Sequence, residues 1–355
     1  MSDTVFTPIK LGNLQLKNRV VMAPMTRSRA IGNLPNAMVE EYYRLRADAG
    51  LIISEGISPS PNGLGYARIP GMFNDAQAQG WKRVTDGVHQ AGGKIFAQLM
   101  HSGRISHPLN MPAGSRMVAP SAIAAPGQMW TDASGMQAHP APAEMSEADI
   151  AQAIAEYATA SKLAVQAGFD GVELHGANGY LIDQFLNTAS NQRSDRWGGS
   201  VENRIRFAVE VAKASVAAIG AERVGIRISP YGVFNGQQPD ADMDALYLLL
   251  VDELNKLGLV FVHIVDHSSM GAPEVSPELK AKIRAAFKGS YILSGGYDAA
   301  RANADLDAKR GDLVAFGRPF ISNPDLVSKL QHNKALTPSD PSTFYTPGEN
   351  GYTVL

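Results

Sequence analysis

The 355-residue chain contains no cysteine, and its 32 lysine and arginine residues nearly balance its 34 aspartate and glutamate residues. Because it has no thiol, it offers no thiol nucleophile, thiolate metal site or iron–sulfur cluster, so any redox chemistry requires a bound organic cofactor. The net charge of −2 gives no electrostatic footprint for nucleic acid. A chain of this length buries a large core and needs neither a disulfide nor a structural metal for stability.

Long apolar runs and a targeting signal are also missing. The longest apolar stretches, such as residues 258–265, are far shorter than the roughly 20 residues of a membrane helix. Residues 1–15 lack the charged-then-apolar pattern of a secretory signal. Gly63-Leu64-Gly65 lacks the third glycine of a dinucleotide-binding fingerprint, and no such fingerprint follows an expected strand. We therefore expect a cytoplasmic protein with no membrane segment and no separate dinucleotide fold.

Eight short apolar runs alternate with segments of helical periodicity. The runs cover residues 19–23, 51–54, 94–99, 171–174, 224–228, 261–264, 291–293 and 313–316. Helices are expected at residues 148–166, 201–219, 281–287 and 298–309. Buried strands that alternate with helices are typical of a closed parallel barrel. The pattern predicts an α/β protein with one (β/α)8 TIM-barrel domain over residues 1–355.

Two segments depart from this alternation. Residues 9–11 and 14–16 flank a Gly12-Asn13 turn, which predicts an N-terminal capping hairpin at about residues 6–16. Residues 101–145, after the third strand, are rich in proline, glycine, serine and alanine and have little helical period. A connection of this length predicts a functional loop or lid over the barrel mouth.

Several candidate ligand-binding residues lie at the predicted strand ends, where the active sites of such barrels form. They are Pro24, Met25, Thr26, Gly56, Gln98, Arg227, Ser294, Gly295, Gly296, Gly317 and Arg318. The loops after the seventh and eighth strands are the common phosphate site of this fold, and Arg318 adds a rigid fork of donors to their glycines. Gln98 and Arg227 suit the edge of a planar heterocycle. These residues predict a phosphate-bearing ligand, with ordinary helix-start turns as the alternative explanation of the glycines.

The segment after the fourth strand carries candidate catalytic groups. His175 and Asn178 can donate hydrogen bonds to one substrate oxygen, and Tyr180 carries a weakly acidic proton. Two donors beside one weak acid suit a reaction in which a carbonyl is polarised and an adjacent carbon is protonated. His263 and His267 have the spacing of a metal-binding pair on a helix, but His263 ends a predicted strand and no glutamate follows it. We therefore expect no metal site.

Motifs along nearly the whole chain resemble the Old Yellow Enzyme family. They include residues 23–27 (APMTR), 50–56 (GLIISEG), 98–104 (QLMHSGR), 191–195 (NQRSD), 198–204 (GGSVENR), 316–320 (FGRPF) and 323–326 (NPDL). The resemblance implies an FMN-dependent barrel that reduces activated alkenes with electrons from NADPH or NADH. It also implies that the nicotinamide cofactor enters the substrate pocket, donates its hydride and leaves, which predicts ping-pong kinetics.

The resemblance implies a role in flavin binding for each strand-end residue. Thr26 would hydrogen-bond the flavin's carbonyl edge, Gly56 would leave room beside its ring, and Gln98 would bind its pyrimidine part. Arg227 would lie near the negative charge of the reduced ring. The phosphate would be held by Gly295, Gly296, Gly317 and Arg318, with Pro24, Met25 and Ser294 as neighbouring cofactor contacts.

On the substrate side, the resemblance assigns His175 and Asn178 to the carbonyl or nitro oxygen. Hydride would pass from flavin N5 to the β-carbon, and Tyr180 would protonate the α-carbon from the opposite face. Tyr66 and Tyr345 would line the pocket. Met100 stands where close relatives carry tryptophan, which predicts a wider pocket because methionine is smaller and more flexible.

Three functions remain open from the sequence. The first is the reduction of α,β-unsaturated carbonyl compounds, maleimides or nitroalkenes, and the second is the reduction of nitrate esters or nitroaromatics at the same flavin. The third is a flavin-free lyase or isomerase that binds a sugar phosphate through Gly317 and Arg318. A non-catalytic flavin carrier would leave the donor pair and Tyr180 unexplained. Both a monomer and a homodimer fit the sequence.

Overall fold

The computed structural model describes residues 3–355 and contains a closed barrel of eight parallel strands. In chain order the strands are β1 (Ile9–Leu11), β2 (Leu14–Leu16), β3 (Val20–Met22), β4 (Leu51–Ile57), β5 (Ile95–Leu99), β6 (Val118–Ala119), β7 (Gln128–Thr131), β8 (Gly135–Ala138), β9 (Ala143–Glu144), β10 (Gly171–Gly176), β11 (Val224–Ile228), β12 (Phe261–Val265), β13 (Ser290–Ser294) and β14 (Leu313–Phe316). The barrel runs β3-β4-β5-β10-β11-β12-β13-β14 and closes from β14 back to β3. The predicted (β/α)8 barrel is confirmed.

Helices cover the outside of the barrel. They are α1 (Ala37–Arg44), α2 (Asp75–Gln90), α3 (Glu147–Gln166), α4 (Leu181–Leu186), α5 (Val201–Ile219), α6 (Met243–Lys256), α7 (Pro277–Ala286), α8 (Ala299–Asp307), α9 (Pro319–Ser322) and α10 (Leu326–Gln331). Because helices cover one face of the sheet and side chains fill the other, the barrel strands are buried at nearly every position. Within residues 3–355, no helix is long and apolar enough to span a membrane.

Side-chain caps explain where the best-predicted helices begin. Ser200 accepts a hydrogen bond from the Asn203 backbone N–H, and α5 has the predicted bounds. Ser146 and Asp149 form a reciprocal capping box at the start of α3. Helix α7 begins at Pro277, four residues before the predicted start, because Ser276 caps it and proline is favoured in the first turn.

The N-terminal hairpin closes one end of the barrel, as predicted. Strands β1 and β2 pair antiparallel around the Gly12-Asn13 turn. Their buried residues Leu11 and Leu16 join an apolar cluster inside the barrel that includes Phe96 and Phe261. The hairpin therefore keeps water out of the end of the barrel opposite the carboxyl ends of the strands.

Residues 101–145 contain structure that the sequence did not indicate. Strands β6 and β9 pair parallel, and β7 and β8 form an antiparallel hairpin. The start of this segment is fixed against α4, where the Leu181 N–H donates to the His101 carbonyl and Gln184 Nε2 donates to the Ser102 carbonyl. Its role as a mobile lid stays a prediction.

Candidate active site

The barrel register brings the predicted site residues together at the carboxyl ends of the strands. Gly56 pairs with Gln98 across β4 and β5, while His175 pairs with Arg227 across β10 and β11. His175 lies inside β10, which extends to Gly176, two residues past the predicted strand end. Strand β4 likewise continues through Gly56 because a register shift between Ile53 and Gly56 keeps its polar end in the barrel.

His175 is buried, and its Nδ1 atom has no hydrogen-bond partner. Burial and the neighbouring Arg227 guanidinium hold the pKa of His175 well below the usual range for histidine. The ring is therefore neutral at physiological pH and carries one N–H donor and one acceptor nitrogen. A buried nitrogen without a protein partner points to a polar group supplied by a ligand.

The backbone of Asn178 is fixed by two neighbouring loops. It has a left-handed conformation with φ of 60°, its N–H donates to Ser229 Oγ at 2.9 Å, and its carbonyl accepts from Asn235 Nδ2 at 2.7 Å. The side-chain Oδ1 lies 2.7 Å from Nε2 of His267. No described residue accepts a hydrogen bond from Asn178 Nδ2, so the amide nitrogen is available to a ligand.

Three tyrosines surround this donor pair. The hydroxyls of Tyr180 and Tyr66 lie 3.0 Å apart, and the Tyr180 ring meets the His175 ring edge-on at 4.9 Å between centroids. Burial raises the pKa of Tyr180, which keeps its phenol protonated at neutral pH. Burial is the main reason that the pKa of Tyr66 is raised as well, and the nearby Tyr345 adds to the shift of both tyrosines. Tyr345 is 61% exposed, and its carbonyl accepts from Arg68 Nη2 at 2.8 Å.

Met100 packs beside Tyr66 and Tyr180 and fills the space next to Gly56. A Cβ atom on Gly56 would lie 2.6 Å from Met100 Sδ, so alanine at position 56 would force the methionine to move. The packing of Met100 therefore explains why position 56 is a glycine, without any need for room beside a cofactor ring. Its backbone remains a candidate cofactor contact.

Arg227 is a buried cation without an anionic or carbonyl hydrogen-bond partner among the described residues. It is 7% exposed, its Nε has no hydrogen-bond partner, and no described residue accepts from its terminal nitrogens. Burial lowers the pKa of Arg227, and the nearby Glu173 carboxylate opposes this effect. Because guanidinium remains charged in proteins, Arg227 presents five N–H donors that have no acceptor among the described residues.

A hydrogen-bond chain inside the barrel lies beside Arg227. Gln98 Nε2 donates to Glu173 Oε1 at 2.8 Å, and Glu173 Oε2 lies 2.7 Å from His263 Nδ1. The chain fixes the Gln98 amide and gives His263 a structural role away from any metal. Residues 3–355 contain no group of three or more histidine, aspartate or glutamate side chains arranged to hold a metal ion.

The loops after β13 and β14 differ in why they contain glycine. Gly295 has φ of 133°, and a Cβ atom there would lie 2.2 Å from the Asp266 carbonyl oxygen, so the fold itself requires glycine. Gly296 has φ of 63°, in the left-handed region that favours glycine, and a Cβ atom there would lie 2.9 Å from Ser269 Cβ. At Gly317 the φ is ordinary and the nearest atom to an added Cβ is Met25 Sδ at 3.8 Å. An added Cβ would be in ordinary van der Waals contact, so neither backbone conformation nor packing within the fold requires glycine at position 317.

The remaining candidate cofactor residues border this space. Arg318 is exposed, with Met270 Sδ 4.0 Å from one of its guanidinium nitrogens. Pro24, Met25 and Thr26 are half-buried after β3, and the Thr26 hydroxyl has no hydrogen-bond partner among residues 3–355. Ser294 is the last residue of β13. The unpaired Arg227, the sterically uncrowded Gly317 and the exposed Arg318 together fit a flat heterocycle that carries a phosphate.

Sequence reasoning missed His267 and Ser229 as neighbours of Asn178. The spacing of His267 from His263 is typical only of a metal-binding pair, and Ser229 lies just past a predicted strand. The contacts of Asn178 with them span 89 and 51 residues. No local pattern in the sequence signals such contacts.

Comparison with known proteins identifies the family. The model of the NADH:flavin oxidoreductase / NADH oxidase family matches residues 4–337. The chain is 44% identical over 361 residues to chanoclavine-I aldehyde reductase of Penicillium roqueforti. This alignment covers 98% of this chain and 95% of that protein. It is 40% identical over 355 residues to a probable flavin mononucleotide-dependent alkene reductase of Leishmania infantum, with 99% of this chain and 96% of that protein covered.

A solved structure gives the same result. Morphinone reductase in complex with tetrahydroNAD matches with a TM-score of 0.93 at 43% identity, covering 98% of this chain and 96% of that chain. This likeness extends over the whole barrel and confirms the resemblance drawn from the sequence motifs. The chain therefore belongs to the NADH:flavin oxidoreductase / NADH oxidase family, that of Old Yellow Enzyme, and is an FMN-dependent oxidoreductase of the ene-reductase type.

Proposed function

We propose that the protein reduces α,β-unsaturated carbonyl compounds, maleimides and nitroalkenes at the expense of NADPH or NADH. The observation that carries this proposal is the convergence of His175, Asn178 and the Tyr180 hydroxyl at one edge of the barrel mouth. FMN, when bound by the strand-end residues, would supply the redox chemistry, which is hydride transfer between a nicotinamide and the β-carbon of an alkene. The family assignment argues against the flavin-free lyase or isomerase.

His175 and Asn178 bind the carbonyl or nitro oxygen of the substrate. Both can donate from positions with no competing acceptor, and His175 is neutral, so each contributes a hydrogen bond rather than a fixed charge. Negative charge grows on that oxygen as the β-carbon gains its hydride. Donors fixed in a buried site therefore stabilise the transition state more than the ground state.

Tyr180 delivers the proton to the α-carbon on the face opposite the hydride. Its raised pKa keeps the proton in place until the neighbouring carbon becomes basic, and the Tyr66 hydroxyl at 3.0 Å stabilises the phenolate left behind. The result is net trans addition of hydrogen across the double bond.

The residues that would hold FMN fall into three main groups, at the edge of the ring, beside its reduced-state charge and around the phosphate. Gln98 and Thr26 would bind the carbonyl and N–H edge of the ring, and Arg227 would offset its negative charge in the reduced state. The phosphate would lie against Gly295, Gly296, Gly317 and Arg318, with Pro24, Met25, Gly56 and Ser294 as further contacts. The unpaired nitrogens of Arg227 and the lack of any close contact at Gly317 support this arrangement.

The nicotinamide cofactor and the alkene use one pocket in turn, which produces ping-pong kinetics. The chain has no dinucleotide-binding fingerprint, and His175, Asn178 and Tyr180 line a single mouth. Tyr66, Tyr345 and Met100 form the pocket wall. By the family resemblance, Met100 stands where close relatives usually carry tryptophan, so we expect the pocket to admit bulkier alkenes.

A spectroscopic experiment tests the proposal. The purified protein should show flavin absorption bands that bleach with NADPH in the absence of oxygen and return on addition of 2-cyclohexenone. Bleaching without recovery would indicate that the substrate is a nitrate ester, a nitroaromatic or a bulkier alkene. Absence of flavin bands after incubation with FMN would contradict the proposal. Product inhibition and initial-rate patterns would separately test ping-pong order.

A further inference from the structure

His267 is a site residue to which the proposed chemistry gives no role. It follows β12 and is half-buried, and its ring lies edge-on to Phe234 at 4.5 Å between centroids. Although it stands four residues from His263, the two side chains serve different neighbours. His263 contacts Glu173 inside the barrel, whereas His267 contacts Asn178 at the mouth.

The contact with Asn178 orients the side-chain amide of this asparagine. Its backbone is already fixed by Ser229 and Asn235, so the motions left are rotations about χ1 and χ2, and rotation about χ2 exchanges Oδ1 and Nδ2. A hydrogen bond from His267 Nε2 to Oδ1, at 2.7 Å, selects the orientation in which Oδ1 faces His267. Nδ2 is then left without a protein acceptor and can donate to a substrate oxygen.

The charge state of His267 suits this donor role. Burial and the Arg227 cation lower the pKa of His267 to about 4, against the opposing effect of Asp266. The ring is therefore neutral at neutral pH and carries a single N–H. The tautomer with that hydrogen on Nε2 is the one that can donate to the Asn178 side-chain oxygen.

We propose that His267 is a positioning residue that holds the Asn178 amide with its N–H groups towards the substrate oxygen. The proposal rests on the donor role of Asn178 in the proposed function. Without His267, the amide would turn its carbonyl oxygen to the substrate for part of the time, and two oxygens would then face each other. His267 would thus act on substrate binding through Asn178 rather than by contact with the substrate.

A double-mutant cycle on the FMN-loaded enzyme tests this coupling. The probe is cyclohexanone, a saturated ketone that cannot accept a hydride, and the readout is its Kd from perturbation of the flavin spectrum. We expect His267→Leu to weaken binding roughly three- to tenfold, the range of one net hydrogen bond. His267→Gln, which retains a side-chain N–H donor, should restore binding to within about twofold. In an Asn178→Ala background, His267→Leu should have almost no further effect.

The cycle separates failure of this inference from failure of the proposed function. If Asn178→Ala weakens binding and His267→Leu weakens it equally in both backgrounds, His267 does not act through Asn178 and the inference is overturned. The same holds if His267→Leu changes nothing. If Asn178→Ala leaves both the Kd and enone reduction unchanged, the donor role itself fails. His332→Leu, which removes an exposed histidine after α10, is the matched control and should leave the Kd unchanged.

The tautomer of His267 gives a readout independent of ligand binding. In the ¹⁵N spectrum of ring-labelled protein at neutral pH, the His267 signals are identified by their loss in His267→Gln. A protonated, pyrrole-type Nε2 supports the proposal. A pyridine-type Nε2 would mean that Asn178 donates to His267 and presents its carbonyl to the pocket, which overturns it.

Discussion

At the scale of single residues, the Tyr180 hydroxyl is the group that distinguishes alkene reduction from nitro-group reduction. Tyr180→Phe should lower kcat/KM for 2-cyclohexenone by at least roughly 100-fold, since a positioned general acid typically contributes 10²–10⁴. Nitroaromatic reduction, which does not need a proton at carbon, should survive largely unchanged. Steady-state rates with the two substrates measure the ratio directly.

Tyr66→Phe is the matched control for this prediction. It removes the hydroxyl that lies 3.0 Å from Tyr180 and leaves the proposed proton donor in place. Its effect on enone reduction should be clearly smaller than that of Tyr180→Phe. Equal losses with the enone and the nitroaromatic in Tyr180→Phe would mean that the tyrosine shapes the pocket rather than donating a proton.

His175 allows a second prediction at the same scale, with a defined pH dependence. His175→Ala should slow enone reduction by about 10²–10³, the usual effect of losing one oxyanion donor. Because the pKa of His175 is held well below neutral, the ring is uncharged from pH 6 to pH 8. The ratio of wild-type to variant rate should therefore stay flat over this window. A ratio that changes through about pH 6.5, where free histidine titrates, would show a charged donor instead.

At the scale of elements, the turn from β10 into α4 depends on the buried carboxyl of Asp183. Its Oδ2 accepts from the Gly179 N–H at 2.8 Å, and burial raises the pKa of Asp183 to about 7. An unfolded aspartate has a pKa of about 3.9. Between these values the folded state holds a proton that the unfolded state has released, so Asp183 makes the protein less stable as pH rises from about 4 to about 7.

Asp183→Asn should remove this pH dependence. The unfolding free energy of the variant minus that of the wild type should increase by roughly 2–4 kcal/mol as the pH rises from 4.5 to 8, because an amide has no charge to bury. Urea unfolding of both proteins at several pH values measures the difference. Asp252→Asn, at an exposed ion pair of α6, is the control and should show no comparable trend. A constant difference for Asp183→Asn would contradict the buried-carboxyl explanation.

Local sequence rules predicted the elements well and their polar ends less well. Helix α5 was predictable because Ser200 caps it and its apolar residues repeat with helical period. The apolar run predicts that strand β4 ends at Ser54, because Glu55 and Gly56 are not apolar. In the fold, the register shifts between Ile53 and Gly56, and the Tyr43 hydroxyl accepts from the Glu55 N–H at 2.7 Å, so this polar segment stays in the strand.

The candidate site shows the same division. The positions of His175, Gln98 and Arg227 follow from the barrel, because strand ends of a closed parallel sheet meet at one mouth. The orientation of Asn178 does not follow from any local pattern, since it depends on His267 and Ser229 in other strand-end loops. The packing of Met100 against Gly56 was likewise not predictable, because it depends on how two neighbouring strands pair.

At the scale of the whole molecule, two arginines after β3 hold the C-terminal segment that carries Tyr345. The Arg29 guanidinium donates to five acceptors in this segment: the carbonyls of Thr343, Phe344, Gly348 and Asn350 and the hydroxyl of Thr346. Arg27 donates to the carbonyls of Phe344 and Gly351. The Tyr352 ring stacks on Tyr42 at 4.1 Å. Residues more than 300 positions apart thus form one wall of the mouth.

Arg29→Ala should release this wall. Several partly buried carbonyls would lose their donors at once, so we expect a loss of about 2–4 kcal/mol in unfolding free energy, from roughly 1–3 kcal/mol per unsatisfied group with partial rescue by water. Amide hydrogen exchange should accelerate over residues 343–352, and KM for the enone should rise because Tyr345 loses its fixed position. Arg44→Ala removes an exposed ion pair with Glu41 and should cost under about 1 kcal/mol without changing exchange in this segment. If exchange over residues 343–352 stayed slow in Arg29→Ala, the stacked tyrosines and Arg27 would be sufficient to hold the segment, and the role given to Arg29 would be wrong.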